Sequence, residues 1–551
     1  MGYMSNSRAN VTKASGAPAA VSDLLPPVLI SAAWIVGRGQ RPVLLRPRNM
    51  YTTRDRMKRQ RRCSPTLGMM ACALLMITVA PAAMAGRTTE IPEPIRRFIE
   101  RPVLRGASVS FVVKRVKDGK TLYNYEGDRQ LTPASVMKTV TSATALELLG
   151  EDYRFETTVE YDGELRPDGI LDGNLYIRGG GDPTLNSSES RTPKDSIVDA
   201  WVEAVRAAGI REITGAVVAD ERIFDNEGVS MKWLLEDLGS SYGQGCYGLN
   251  IFDNRIGISL SSGAKGTTPQ VTAVTPRVEG LTFHNYLRAA TKDSAYVVGF
   301  PFANERSLFG TLPARRSGLY LGADLPDPPL FVARYVSERL RDRGIRIRKR
   351  PSSMRIEAEA GRETSRPRRP IITTRSRPLR EIVRALCVVS HNLYADALLK
   401  TLGRRLTESE QSSFGRGAQV ARGYWQDRGL DASSLWMYDG SGLAVTGKVT
   451  ASFLCDMLTY MATQSRASEA FYQALPLVGR EGTVRRMLRD TDLEGRARLK
   501  GGSMSRVLCY AGYVDDEDGV RYAVAVMANN YTGGVLSMRQ AIEYLLVDVF
   551  E

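Results

Sequence analysis

Histidine is nearly absent from this chain, whose 551 residues hold only His284 and His391. Neither stands in a motif that would set it beside a nucleophile, so a His-based catalytic triad has no support. Cysteine is scarce as well, at six residues with no CxxC spacing. With so few histidines, that excludes a zinc site built from His and Cys. Cys63 and Cys72 fall in an N-terminal stretch that reads as removable. The other four, Cys246, Cys387, Cys455 and Cys509, could pair in three ways, and the sequence does not choose among them. Internal repeats and low-complexity tracts are lacking. The apolar stretch Leu67–Ala80 is too short for a comfortable membrane span.

Positive charge is plentiful but unevenly spread. Of the formal net charge of +15, residues 1–86 supply +10, from 12 Lys/Arg against 2 Asp/Glu, which leaves +5 for the rest of the chain. A long folded body at +5 is unremarkable, and nucleic acid is excluded as a partner. The excess marks an export segment. Lys58, Arg59, Arg61 and Arg62 precede the apolar stretch, and Pro81-Ala82-Ala83-Met84-Ala85 follows it as a small-residue cleavage pattern. This is the layout of a secretory signal peptide, with an uncleaved anchor as the alternative. Residues 1–85 are therefore read as leader and signal peptide, with Met57 as an alternative start, and the location as periplasmic.

The length leaves room for two or three domains. An amphipathic start near Ile91–Ile99 leads to strands over Ser108–Val116 and Thr121–Tyr125, joined at Asp118-Gly119. A helix from Ser135 to Leu149, stopped by Gly150, is apolar around much of its circumference and belongs in a domain centre. From about Tyr161 the pattern changes to short strands, turns and glycines, with one helix over Ser196–Ala208. This predicts an inserted α+β region in two lobes over 161–356, with the basic stretch Arg346–Arg369 as its return path. Residues 86–160 and 357–551 form the two parts of the interrupted domain. The second part carries helices over Leu379–Leu402, Gly415–Gly429 and Ala451–Ala462, β-runs over Leu499–Val514 and Val520–Asn529, and a terminal helix from Leu536.

Three short motifs carry chemistry. In Ser135-Val136-Met137-Lys138, at a helix start, positions i and i+3 share a face, so the amine can reach the hydroxyl. A serine hydroxyl needs a base to become a nucleophile, and a desolvated lysine beside another cation can serve. Ser262-Gly263-Ala264-Lys265 has the same spacing but sits in a Gly-rich turn with no helix behind it. Ser390-His391-Asn392, within the helical stretch Val388–Leu402, offers a proton relay and an amide. Lys500-Gly501-Gly502-Ser503 opens a strand in which Lys500 and Gly502 share a face, so the cation enters a cleft and the glycine admits substrate backbone.

The order of these motifs, and the strand–turn–strand–helix ending, are those of penicillin-binding proteins and class A β-lactamases. Beyond them, Pro133-Ala134-Ser135-Val136-Met137-Lys138, Gly179-Gly180-Gly181-Asp182-Pro183-Thr184-Leu185, Ser390-His391-Asn392-Leu393-Tyr394-Ala395-Asp396, Asp439-Gly440-Ser441-Gly442-Leu443 and Leu475-Pro476 leading to Gly482-Thr483 resemble the peptidase family S13 penicillin-binding proteins. The long spacer between Ser135 and Ser390 is itself a trait of that family. The likeness runs from about Ile91 to the C-terminus.

The resemblance implies a DD-peptidase/β-lactamase-like α/β fold, in which an antiparallel sheet flanked by helices is interrupted by the large α+β insertion. It implies a serine D-Ala-D-Ala carboxypeptidase or endopeptidase acting on peptidoglycan stem peptides and inhibited by β-lactams. Ser135 would be the nucleophile and Lys138 its base. Ser390 would relay the proton, Asn392 orient the acyl chain, and Lys500 bind the carboxylate. Gly502 would admit the substrate, and the backbone N–H of Ser503 would join that of Ser135 as oxyanion hole. No metal or organic cofactor is implied, and a homodimer is left open. A β-lactamase-like hydrolase and a catalytically silent wall-binding protein are the alternatives. One departure favours weak activity: Gly501 stands where the family carries threonine. Losing that hydroxyl's bond to a carboxylate costs about 1.5–3 kcal/mol.

Overall fold

Along the strand Arg521–Asn529, Ala523, Ala525 and Met527 enter one apolar core while Val524, Val526 and Ala528 enter another. A strand buried on both faces reads as a continuous apolar run and needs cover above and below. This strand is the centre of a five-stranded antiparallel sheet in the order Thr121–Tyr125, Ser108–Arg115, Arg521–Asn529, Val507–Asp515, Ala497–Met504. One face packs on the helices Met137–Leu149, Leu379–Val389 and Ala451–Thr463. The other packs on Glu93–Ile99 and Val535–Phe550. The predicted α/β architecture of an antiparallel sheet flanked by helices is therefore observed. This computed structural model describes residues 91–551, apart from 191, 192, 194, 363, 364, 405 and 407–410. The residues 1–85 read above as leader and signal peptide lie outside the described residues. Among those residues no helix is long and apolar enough to cross a membrane.

The excursion away from this sheet begins and ends in one antiparallel pair. Glu156–Tyr161 pairs with Arg369–Arg375, with Val159 opposite Ile372. Both belong to a second five-stranded sheet in the order Ser352–Ser353, Val217–Asp220, Leu175–Arg178, Glu156–Tyr161, Arg369–Arg375. Its core includes the buried faces of the helices Ser196–Ala207 and Pro328–Asp342. Smaller sheets follow, among them Gln270–Thr275, Arg255–Ser262 and Arg316–Asp324.

Three local expectations are corrected. The basic stretch after Arg346 is not a bare return path. It adds the strand Arg346–Ile347, where Glu212 binds both Arg346 and Arg348, the strand Ser352–Ser353 beside Val217–Asp220, and the helix Met354–Glu359, capped by Ser353 and held at its start by Glu221. The helix expected over Leu379–Leu402 is two helices, broken where Ser390 adopts φ 60°. The run Leu499–Val514 is a hairpin folded just before Val507, where Arg506 has φ 57°. Cys246, Cys387, Cys455 and Cys509 are buried free thiols, so none of the three pairings forms.

Candidate active site

Ser135 lies in a 3₁₀ turn, Ala134–Val136, that feeds directly into the helix Met137–Leu149. Ala134, at φ 48°, sets the sharp entry. The i, i+3 spacing places Lys138 Nζ 2.8 Å from Ser135 Oγ. The same amine donates to the Ser441 carbonyl at 2.7 Å. Ser135 is half-buried and so reachable, whereas Lys138 is 0% exposed. Desolvation first, and then the nearby charge of Lys500, bring the Lys138 amine down to about 7. A primary amine at that value is largely able to accept a proton near neutral pH.

Lys500 arrives from the edge strand Ala497–Met504. Its Nζ donates to Ser390 Oγ at 2.9 Å and to the Gly501 carbonyl at 2.6 Å. Burial lowers this amine as well, to about 8. Ser390 can meet it because the helix stops there. In the left-handed conformation the residue turns out of the helix, and a new one starts at Asn392.

Gly502 explains how strand and serine come together. A Cβ there would lie 2.4 Å from the Pro133 carbonyl oxygen and 2.8 Å from the backbone nitrogen of Ser135. Only a residue without a side chain lets the strand approach this closely. A Cβ on Gly501 would meet the Tyr510 ring at 3.1 Å, on the opposite face. Ser503 follows, exposed on the edge strand.

The structure thus brings Ser135, Lys138, Ser390, Lys500 and Gly502 around one cleft. Asn392 is held differently, its Nδ2 donating at 2.8 Å to the carbonyl of Tyr242 in the inserted region. The second Ser-x-x-Lys is elsewhere: Ser262 Oγ donates to the Pro313 carbonyl at 2.5 Å and accepts from Arg316 N at 3.0 Å, and Lys265 is exposed. His391 is buried, 3.2 Å from Asp253 and stacked on Tyr394 at 4.2 Å. Desolvation lowers its pKa.

Sequence reasoning assigned no role to the loop Asp439–Ala444. Its Ser441 carbonyl is the second partner of Lys138, and the loop is shaped by two buried carboxylates. Asp396 Oδ1 accepts from the Gly440 and Ser441 N–H groups at 2.9 and 3.0 Å. Asp439 accepts from Gly442 and Ala444, each at 2.7 Å, and from Trp233 Nε1 at 2.7 Å. Burial, and the neighbouring charge of Asp439, push Asp396 up to about 8. The available signal was the phrase Asp439-Gly440-Ser441-Gly442, whose second glycine has φ 74°.

A buried amine beside a reachable hydroxyl, with a second amine behind another serine, is the equipment for acyl transfer without histidine. Comparisons with known proteins place the chain in a family. The model of the D-Ala-D-Ala carboxypeptidase 3 (S13) family matches residues 92–546. A D-alanyl-D-alanine carboxypeptidase of Actinomadura sp. (strain R39) is 28% identical over 500 residues, covering 88% of this chain and 89% of that protein. D-alanyl-D-alanine carboxypeptidase DacB of Haemophilus influenzae is 22% identical over 495 residues, covering 88% and 96%. The crystal structure of penicillin-binding protein 4 (dacB) from that organism superposes with a TM-score of 0.71 at 21% identity, over 83% of this chain and 98% of that one, and so shares the fold. The chain belongs to the D-Ala-D-Ala carboxypeptidase 3 (S13) family, and is with it a serine-type D-Ala-D-Ala carboxypeptidase.

Proposed function

We propose that this chain is exported to the periplasm and cleaves the D-Ala-D-Ala ends or DD-crosslinks of peptidoglycan through an acyl-enzyme on Ser135. Lys138, as the neutral amine, takes the Ser135 proton while the oxygen attacks the carbonyl of the penultimate D-Ala. Negative charge develops on that carbonyl oxygen, for which the backbone N–H groups of Ser135 and Ser503 serve as donors. When the C–N bond breaks, the proton passes from Lys138 through Ser390 to the leaving amine. Lys500, protonated, steadies Ser390 and attracts the terminal carboxylate, and Asn392 aligns the acyl chain. Water then hydrolyses the ester, with Lys138 again as base. β-lactams enter the same path and stall before that last step.

The single observation that carries this reading is the 2.8 Å approach of a fully buried, destabilised ammonium to the Ser135 hydroxyl. The experiment is incubation with a fluorescent penicillin followed by mass spectrometry of the digest. A covalent adduct on Ser135, absent from Ser135→Ala, is the expected result. An unlabelled native chain would sink the acyl-enzyme reading and leave a silent scaffold, the role that Gly501 favours.

A further inference from the structure

The basic run Arg346-Ile347-Arg348-Lys349-Arg350 takes no part in the chemistry just described, and its charges divide into two uses. Arg346 and Arg348 converge on the buried carboxylate of Glu212. Among the described residues, no carboxylate forms a close ion pair with Lys349 or Arg350, although Lys349 lies near enough to Glu357 to help lower its pKa. Both instead line a cleft of about 480 Å³ in the inserted region, which shares no residue with the catalytic cluster. That volume lies within the range of small-ligand sites.

Arg362 is the third cation on its wall, and Glu357 is the one acid among its lining residues. Glu357 is already committed, accepting from Ser352 Oγ and from Arg362 at 3.0 and 3.1 Å. Counted over its described lining residues, the cleft carries a net charge of +2, and Glu357, the one carboxylate among them, is occupied. Its floor is the opposite in character: Tyr176, Ala216, Val218 and Met354 form a buried apolar cluster. Behind that floor the Arg368 guanidinium stacks on the Tyr176 ring at 3.6 Å.

An apolar floor under a cationic rim suits a ligand with small apolar side chains next to a carboxylate. It suits a hydrated inorganic ion poorly, because such an ion needs converging donors on every side. We infer that this cleft is a second, non-catalytic binding site for the carboxylate-ended stem peptides of peptidoglycan. The inference rests on the proposed function for its polymer, since an uncut stem ending in D-Ala-D-Ala offers two methyl groups and a terminal carboxylate. Neighbouring stems lie on one strand, so holding one raises the effective concentration of the others at Ser135.

The test uses the full chain in two arms. In the first, Ser135→Ala protein is sedimented with purified peptidoglycan stripped of phosphate-containing polymers, with and without Lys349→Glu/Arg350→Glu. The expected result is salt-sensitive binding that the charge reversal weakens about fivefold or more. Unchanged binding overturns the site, and binding seen only to unstripped wall overturns the carboxylate assignment. In the second arm, the same double substitution in the otherwise native chain leaves penicillin labelling and the cleavage of a soluble D-Ala-D-Ala peptide unchanged, while cleavage of the polymer slows about fivefold. Equal rates on the polymer overturn the proposal. A native chain that penicillin does not label defeats the acyl-enzyme reading instead, and the sedimentation arm still decides this one.

Discussion

In the cleft, Lys138 and Lys500 are fully buried and their hydrogen-bond partners are hydroxyls and carbonyls. In the inserted region, Arg339 binds Asp199, and Arg368 bridges Glu160 and Asp220. The consequences are opposite. Hydrogen bonding to Asp199 raises Arg339, and in Arg368 the two carboxylates outweigh a burial that alone would lower it. Desolvation brings both lysines down, to about 7 and about 8. Carboxylate partners favour the charged form of Arg339 and Arg368, which hold the inserted region together. A lysine hydrogen-bonded only to neutral dipoles holds its proton less firmly, which is what the proposed role of Lys138 as base requires.

The largest effect that would sharpen this contrast comes from Lys138→Arg. Arginine keeps the charge but does not release a proton, so acylation by a soluble penicillin should fall about a thousandfold, as measured by stopped-flow labelling. Near-native rates would remove Lys138 as the base. Next comes pH. Lys138 must be neutral to act, so the acylation rate should rise about tenfold per unit below about 7. Lys500 must stay charged, so the rate should fall again above about 8. A flat profile from pH 5 to 9 would break the comparison.

Smaller effects test the packing. Gly502→Ala forces a Cβ onto the Pro133 carbonyl and the Ser135 nitrogen, and denaturant titration should show a loss of about 1–3 kcal/mol. Gly423→Ala is the control. That glycine is inside the helix Ser413–Gln426 with nothing within 4 Å of the added carbon, so a gain of about 0.5–1 kcal/mol is expected. The smallest change should follow Glu203→Gln, which breaks an ion pair with Arg343 whose partners are 49% and 43% exposed. Stability there should move by less than about 0.5 kcal/mol.

What the sequence reveals of the site follows from the range of the interactions. Ser135 and Lys138 meet through one helical turn, and Lys500 and Gly502 share a face through strand alternation. Both are local rules, so both were legible. The break at Ser390 was not, because a serine at positive φ has no sequence signature within an apolar helical pattern. The Ser441 and Tyr242 carbonyls were equally hidden, since a backbone acceptor can come from any residue. The central sheet was readable from its long apolar runs. Two-residue strands such as Arg346–Ile347 are too short to leave a period.

Glu156 and Arg375, 219 positions apart, face each other across the paired strands that open and close the insertion, and their side chains meet at 3.0 Å. Once that neck has zipped, the chain between Ser135 and Ser390 is tethered like a short hairpin. Docking the two serines then costs little further loop entropy, although more than two hundred residues separate them. The neck thereby keeps the two halves of the catalytic cluster within reach of each other.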